Sequence, residues 1–247
     1  MDLHQTRASS FGARASDYAE HRPNYPADGV RWALGAATRP VEDVLDLAAG
    51  TGKLTEGLLP LGLAVTAVEP DSAMRTELTR AFPQVRTLAG RAEEIPLPAG
   101  SVDAVLVGQA FHWFDRAKAL DEIARVLRPG GAVGALWNGE DNDVEWVAEL
   151  MAVSGTSANR VAPEELRLPA HPLFTEFEEA SYPHTHRRTI DSLAETFGTH
   201  SRMLVIPPAE REAVLAKVRE YLAGRPETSS GEFDMPLVTK VVRATRH

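Results

Sequence analysis

Val44-Leu45-Asp46-Leu47-Ala48-Ala49-Gly50-Thr51-Gly52-Lys53-Leu54-Thr55 decides the fold. The stretch opens as a short apolar strand and closes in a helix-compatible pattern, with a carboxylate, two alanines and two glycines between them. A strand that ends in small residues and turns at once into a helix brings main-chain N–H groups close to a ligand. Glu69 follows about twenty residues beyond the glycines, the offset of the acid that grips a ribose in doubly wound folds. Together these residues predict a nucleoside site made by the loop after strand one and the carboxylate after strand two.

Working outward, residues 45–47, 64–68, 85–88, 102–107 and 132–137 read as five short apolar strands, as expected where helices cover both faces. Leu54, Leu58 and Leu59 give the first intervening helix its apolar face, closed by Pro60 and Gly62. A helix begun at Glu69-Pro70-Asp71 turns Met74, Leu78, Ala81 and Phe82 inward. Asp115 caps another, with Leu120, Ile123, Ala124 and Leu127 inward, stopped at Arg128-Pro129-Gly130-Gly131. Upstream, Asp28 precedes a helical face of Val30, Ala33, Leu34 and Ala37 that ends near Arg39-Pro40. Residues 11–26 are aromatic and broken by prolines, and either pack over a sheet edge or form a lid. This alternation predicts an α/β, Rossmann-like, doubly wound and mostly parallel sheet with helices on both faces.

Past Asn138 the rhythm breaks. A helix over 143–153, a strand near 178–185, a short helix over 191–197 and a final antiparallel strand over 237–244 are expected. Between the last two, Val214, Leu215, Val218, Tyr221 and Leu222 mark an amphipathic helix. No internal repeat appears. The expectation is one domain over 1–247, with a cofactor-binding core at 40–140 and lid or substrate segments at 1–39 and 140–205.

The 247 residues carry a formal charge of −9 and no cysteine. The charge argues against nucleic acid as partner, and the missing thiols exclude disulfides and cysteine-ligated zinc. No apolar run suits a signal peptide or a membrane span, so a cytoplasmic protein with no membrane partner is expected. His184 and His186 share one strand face, but no carboxylate-histidine set near them supports a metal site, and none is expected. Monomer and homodimer both stay open.

With these elements in place, the chain resembles the class I S-adenosylmethionine-dependent methyltransferases, of the small-molecule kind called methyltransferase type 11. Four blocks carry the resemblance. Asp46-Leu47-Ala48-Ala49-Gly50-Thr51-Gly52 is similar to the first motif and Val68-Glu69-Pro70-Asp71-Ser72-Ala73-Met74 to the ribose-binding block. Ala92-Glu93-Glu94-Ile95-Pro96-Leu97 with Ser101-Val102-Asp103 resembles the adenine loop and fourth strand, and Arg125-Val126-Leu127-Arg128-Pro129-Gly130-Gly131 the turn before strand five. Less specifically, Tyr18, Arg22-Pro23, Tyr25-Pro26 and the run 110–115 resemble a subgroup that includes trans-aconitate methyltransferases. Two positions depart from the pattern. Ala48 replaces a usual glycine, which implies that the chain need not take a positive φ there. Arg91 replaces a usual aspartate, leaving Glu93 or a carbonyl to receive the adenine amino group.

The resemblance implies S-adenosylmethionine as cofactor, S-adenosylhomocysteine as product and a small-molecule acceptor methylated on oxygen or nitrogen. It implies that Asp46 orders the cofactor's amino-acid end, that Ala48, Gly50, Thr51 and Gly52 form the loop beneath it, and that Glu69 and Pro70 hold the ribose. Met74 packs near the adenine or simply fills the core. Ala92 offers its N–H to the ring and Glu93 meets the amino group. Tyr18 and Gln109 line the cofactor. His112 is the candidate general base, or a residue that only positions substrate beside Trp113. Tyr25, Trp113 and Trp137 are candidate aromatic walls, the tryptophans alternatively core residues. His171, His200, Ser201 and Arg202 are polar candidates for acceptor contact or plain surface. A nicotinamide oxidoreductase would need G-x-G-x-x-G, which this loop lacks. An enzyme methylating nucleic-acid bases would show Asn/Asp-Pro-Pro-aromatic after strand four, where Gly108-Gln109-Ala110-Phe111 stands. A cofactor-binding partner or regulator without transfer activity is the alternative.

Overall fold

The computed structural model describes residues 22–155, 168–198, 203 and 206–247. Its strands are β1 (Asp43–Leu47), β2 (Ala64–Val68), β3 (Arg86–Leu88), β4 (Val102–Gly108), β5 (Leu127–Glu140), β6 (Glu178–Arg188) and β7 (Phe233–Thr245). They form one sheet in the order β3-β2-β1-β4-β5-β7-β6. The first five pair in parallel, and β7 runs antiparallel between β5 and β6. The chain builds outward one way from β1 through β2 and β3, then the other way from β4. The switch point between β1 and β4 is therefore where a crevice opens above the carboxyl ends of the strands.

The helices are α1 (Ala27–Leu34), α2 (Lys53–Leu58), α3 (Ser72–Ala81), α4 (Arg116–Val126), α5 (Glu145–Ser154), α6 (Ile190–Gly198) and α7 (Pro208–Ala223). Both sheet faces are covered. Val44, Ala104, Leu106 and Leu136 pack against Val30 and Ala33 of α1, Leu54 and Leu58 of α2 and Leu78 of α3. On the other face Leu45, Leu47, Val105, Val107 and Val133 meet Leu120, Ile123 and Ala124 of α4. Each such fully buried leucine or isoleucine contributes on the order of 1.5–3 kcal/mol of transfer free energy. A third apolar cluster, of α5, α6 and α7 with Phe233, Met235 and Leu237, sits where β7 begins. Because β7 runs antiparallel to β5, this cluster lies at the carboxyl end of the parallel strands.

Several boundaries differ from the sequence expectations. α1 stops at Leu34, because Gly35 turns the chain and its N–H reaches the Arg31 and Ala33 carbonyls; Leu34 and Ala37 are only half-buried. Ala81 is exposed rather than inward. β5 already begins at Leu127, with a register shift against β4 that absorbs Pro129 and the glycines. β6 and β7 are longer than expected, since they go on pairing with each other where β5 has ended. β6 tolerates Pro183 as an edge strand, where the missing N–H costs no ladder bond. At the opposite end of the sheet Asp103 accepts the N–H groups of Glu42 and Asp43 and pairs with Arg39 and Arg128, fastening the entry to β1.

Candidate active site

The loop after β1 and the acid after β2 are joined directly. Glu69 Oε2 accepts the Gly50 N–H at 2.9 Å, and Oε1 accepts the Asp71 N–H at 2.9 Å. A carboxylate has about four acceptor positions, so two remain after these bonds. Burial pushes the Glu69 carboxyl above its ordinary range, against the pull of those two N–H groups. Asp71 in turn caps α3, accepting from Ala73 and Met74 at 2.9 Å each, which sets the side chain of Met74 into the core. Pro70 is exposed at the bend, and its carbonyl accepts from Arg75.

Asp46 is buried at the end of β1. Its Oδ2 accepts the Thr55 hydroxyl at 2.6 Å, while Oδ1 has no hydrogen-bond partner. Burial raises the carboxyl to about 7, partly offset by the bonds to Thr55. Thr51 Oγ1 is also buried without a partner. Buried polar atoms of this kind need a partner, which a ligand, an ion or a water can supply. Gly50 has φ 57°, and a Cβ there would meet nothing within 4 Å, so the backbone borders open space. Gly52, at φ 93°, is closed on the protein side, where a Cβ would lie 2.7 Å from the Phe82 ring.

Ala48 corrects an expectation. Its φ is +57°, so the turn demands the left-handed conformation even with a Cβ present. The reason is the tightness of the turn, in which the Ala49 N–H donates to Val68 O and the Gly52 N–H to Ala49 O. Left-handed alanine costs about 1–2 kcal/mol, while glycine's extra chain entropy costs about 0.5–1 kcal/mol. Ala48→Gly is therefore expected to raise stability by about 0.5–1 kcal/mol, read as a higher denaturant midpoint. A lower midpoint would mean that the methyl group packs favourably enough to outweigh its strain.

The loop expected to meet the adenine is clamped from α4. Glu122 accepts the Ile95 N–H at 2.8 Å, and Arg125 donates to the Ile95 and Leu97 carbonyls at 2.8 Å each. Ala92 is buried beside Val68 and Ile95. Arg91 is largely exposed and turns toward Glu93 at 3.4 Å, and Glu93 also accepts the Asp115 N–H at 3.0 Å.

Beyond β4, Gln109 takes φ +58°, a conformation uncommon outside glycine and concentrated at functional sites. Two bonds hold it: its N–H donates to Leu136 O and its Nε2 to Asn138 O, each at 2.8 Å. Tyr25 packs onto Gly108 so closely that a Cβ there would lie 2.5 Å from the tyrosine oxygen. Asn138 Nδ2 donates to the carbonyls of Pro23 at 3.3 Å and Asn24 at 3.2 Å, which fixes the amide orientation. Its Oδ1 accepts the Thr239 hydroxyl at 2.5 Å. Thr239 has only one proton to give, so its oxygen accepts from His184 Nε2–H at 2.9 Å. This polar chain ties the segment before α1 to β4, β5, β7 and β6.

The remaining candidates divide. His112 stacks on Trp113 at 4.7 Å in the turn Phe111–Trp113, next to the loop that starts at Gln109. Trp137 is buried in the core under α4, and its indole N–H has no hydrogen-bond partner. His171 lies 3.3 Å from Asp121 of α4. Tyr18, His200, Ser201 and Arg202 fall outside the described residues. Among the described residues no group of three metal-ligating side chains occurs. Sequence reasoning missed Asn138 and Thr239; the signal for them was the polar break in the apolar runs of β5 and β7.

The chain is similar to known proteins over most of its length. The family described as "Methyltransferase domain" matches residues 45–134. An uncharacterized methyltransferase of Mycobacterium tuberculosis is 43% identical over 237 residues, spanning 96% of this chain and 95% of that protein. The chain belongs to the class I S-adenosylmethionine-dependent methyltransferases. An uncharacterized methyltransferase of Schizosaccharomyces pombe is 30% identical over 237 residues, 93% of this chain and 94% of its own. Among solved structures, one assigned as a type II methyltransferase from Anaeromyxobacter dehalogenans superposes with a TM-score of 0.71 at 28% identity, covering 91% of this methyltransferase and 97% of that chain. No described helix of this methyltransferase is long and apolar enough to cross a membrane.

Proposed function

We propose that this methyltransferase moves a methyl group from S-adenosylmethionine to an oxygen or nitrogen of a small-molecule acceptor, as a single domain. In this reading residues 40–140 hold the cofactor, and residues 1–39 and 140–205 shape the acceptor side. The observation that carries the cofactor site is the Glu69 carboxylate, bonded to Gly50 with acceptor capacity left over, beside the unpartnered Asp46 Oδ1. When bound, the cofactor supplies a methyl group activated by a sulfonium. Glu69 takes ribose hydroxyls on its free acceptor positions, and Asp46 and Thr51 satisfy their buried oxygens against the amino-acid end. Gly50 and Gly52 would bring main chain close, Ala92 would offer its N–H to the ring, and Met74, buried on α3, would back the adenine side or simply fill the core.

For the amino group, Arg91 is a donor and unsuited, so Glu93 or a carbonyl of the clamped loop serves. Gln109, held in its strained conformation, lines the passage toward the acceptor. His112, beside it, takes the acceptor's proton. His112→Gln is then expected to lower turnover by roughly a hundredfold or more with cofactor affinity retained; a loss under about threefold would leave His112 a spacer. The chain's acidity and the sequence Gly108-Gln109-Ala110-Phe111 favour a small acceptor over a nucleic-acid base. The test is incubation of a metabolite extract with isotopically labelled cofactor, followed by mass spectrometry. A labelled small molecule appearing with S-adenosylhomocysteine supports the reading, and cofactor binding without either product favours the non-transferring alternative.

A further inference from the structure

The ends of β6 and β7 form a ribbon that overhangs the sheet. The last β5–β7 pair is Glu140 with Leu237, whereas β6 and β7 continue to Arg188 opposite Phe233. Four further residues add roughly 13 Å of reach at about 3.3 Å each. His184, His186 and Arg188 alternate along β6 and so share the face that carries Met235 and Phe233. Through Thr239 and Asn138, His184 is tied to Gln109, which makes this face continuous with the loop after β4.

Arg188 is the informative member. It is only 6% exposed, and its Nη2 donates to the Ser192 carbonyl and the Thr196 hydroxyl. Among the described residues no carboxylate lies within ion-pair distance of it, and Glu195 acts on it only through space. Buried guanidinium groups are nearly always matched by an anion, because desolvating a charge is costly. His186, half-buried next to it, is held down to about 4 by burial and then by Arg188, Lys53 and His184. Lys53 opens α2 directly after the glycine loop, and its ion-pair partner is the exposed Glu56 at 3.7 Å. β1 and β6 stand four strands apart, roughly 19 Å at about 4.8 Å per step. Lys53 is nevertheless near enough to His186 for its charge to act on the imidazole. Three basic side chains thus come together on one side of the sheet in a protein whose net charge is −9.

We propose that Lys53, His186 and Arg188 form an anion subsite for the acceptor, holding a carboxylate or phosphate under the ribbon while its reacting atom faces the loop after β4. The role as an acceptor subsite rests on the methyltransferase reading above. The anion preference is testable without turnover.

The test follows the ring signals of isotopically labelled histidine by NMR in the full chain. Inorganic phosphate and glutarate serve as probes, with dimethyl glutarate as the neutral counterpart. Either anion is expected to raise the His186 titration midpoint by about one pH unit or more, and the neutral ester to leave it unmoved. Lys53→Ala and, where it folds by circular dichroism, Arg188→Lys should each weaken the anion about fivefold or more. No shift with tens of millimolar of either anion, or an equal shift with the ester, overturns the subsite. Calorimetry with S-adenosylmethionine on the same sample separates the two readings. Cofactor binding with no anion effect overturns the subsite alone, and an anion effect without cofactor binding overturns the acceptor role instead.

Discussion

Glu69→Ala is expected to weaken S-adenosylmethionine binding by about 1.5–3 kcal/mol, roughly ten- to 150-fold in Kd. The carboxylate does two jobs that alanine abandons together. It fastens Gly50 to the start of α3 through the Gly50 and Asp71 N–H groups, and it keeps two acceptor positions for hydroxyls. Glu69→Gln should be nearly as damaging. Both oxygens already face N–H donors, so an amide must turn its NH2 group against one of them. Isothermal calorimetry reads both variants, and unchanged affinity in either would remove Glu69 from the site.

Asp46→Asn is expected to split stability from binding. The Asp46 carboxyl is raised by burial to about 7 in the folded chain, from an ordinary value near 3.8. A folded-state value raised above the unfolded one means stability is fully present at low pH. It is lost as pH rises through the interval from about 4 to about 7, and flat beyond it. Asparagine keeps an acceptor for Thr55 and carries no charge. The variant should therefore match the wild type near pH 4 and exceed it above pH 7, by on the order of 2–4 kcal/mol in unfolding free energy. Cofactor affinity should instead fall by about tenfold or more, since hydrogen bonds to a charged group are the stronger ones. The wild type should also release a proton on binding near pH 6–7, seen as a buffer-dependent heat, and the variant should not. Equal denaturation curves at pH 8 would mean that Asp46 is solvated and ordinary.

These two acids show what the sequence carried. The meeting of Glu69 with the glycine loop at Gly50 was legible because a doubly wound sheet sets the loop after β1 and the residue after β2 side by side at fixed offsets. The five parallel strands were legible because burial on both faces leaves short, uninterrupted apolar runs. Ala48 was misread, because a residue's identity speaks to the cost of a positive φ and not to whether the turn requires one. Its neighbours' hydrogen bonds require it. β6 and the start of β7 were read short, since Asp234, Pro236 and Arg187 look like loop residues. They are the outward positions of a two-stranded ribbon whose inward positions, Phe233, Met235 and Leu237, pack on α5, α6 and α7. The polar chain behind Gln109 was least legible for a related reason. Asn138, Thr239 and His184 lie 46 or more residues apart in the chain and meet only through the strand order β5-β7-β6.

The most direct measurement is a crystal structure of the chain with S-adenosylhomocysteine. The account predicts the ribose hydroxyls on Glu69, the amino-acid end over Gly50 to Gly52 beside Asp46, and the sulfur directed toward Gln109. Ligand density lodged elsewhere, with Glu69 and the glycine loop untouched, would contradict it.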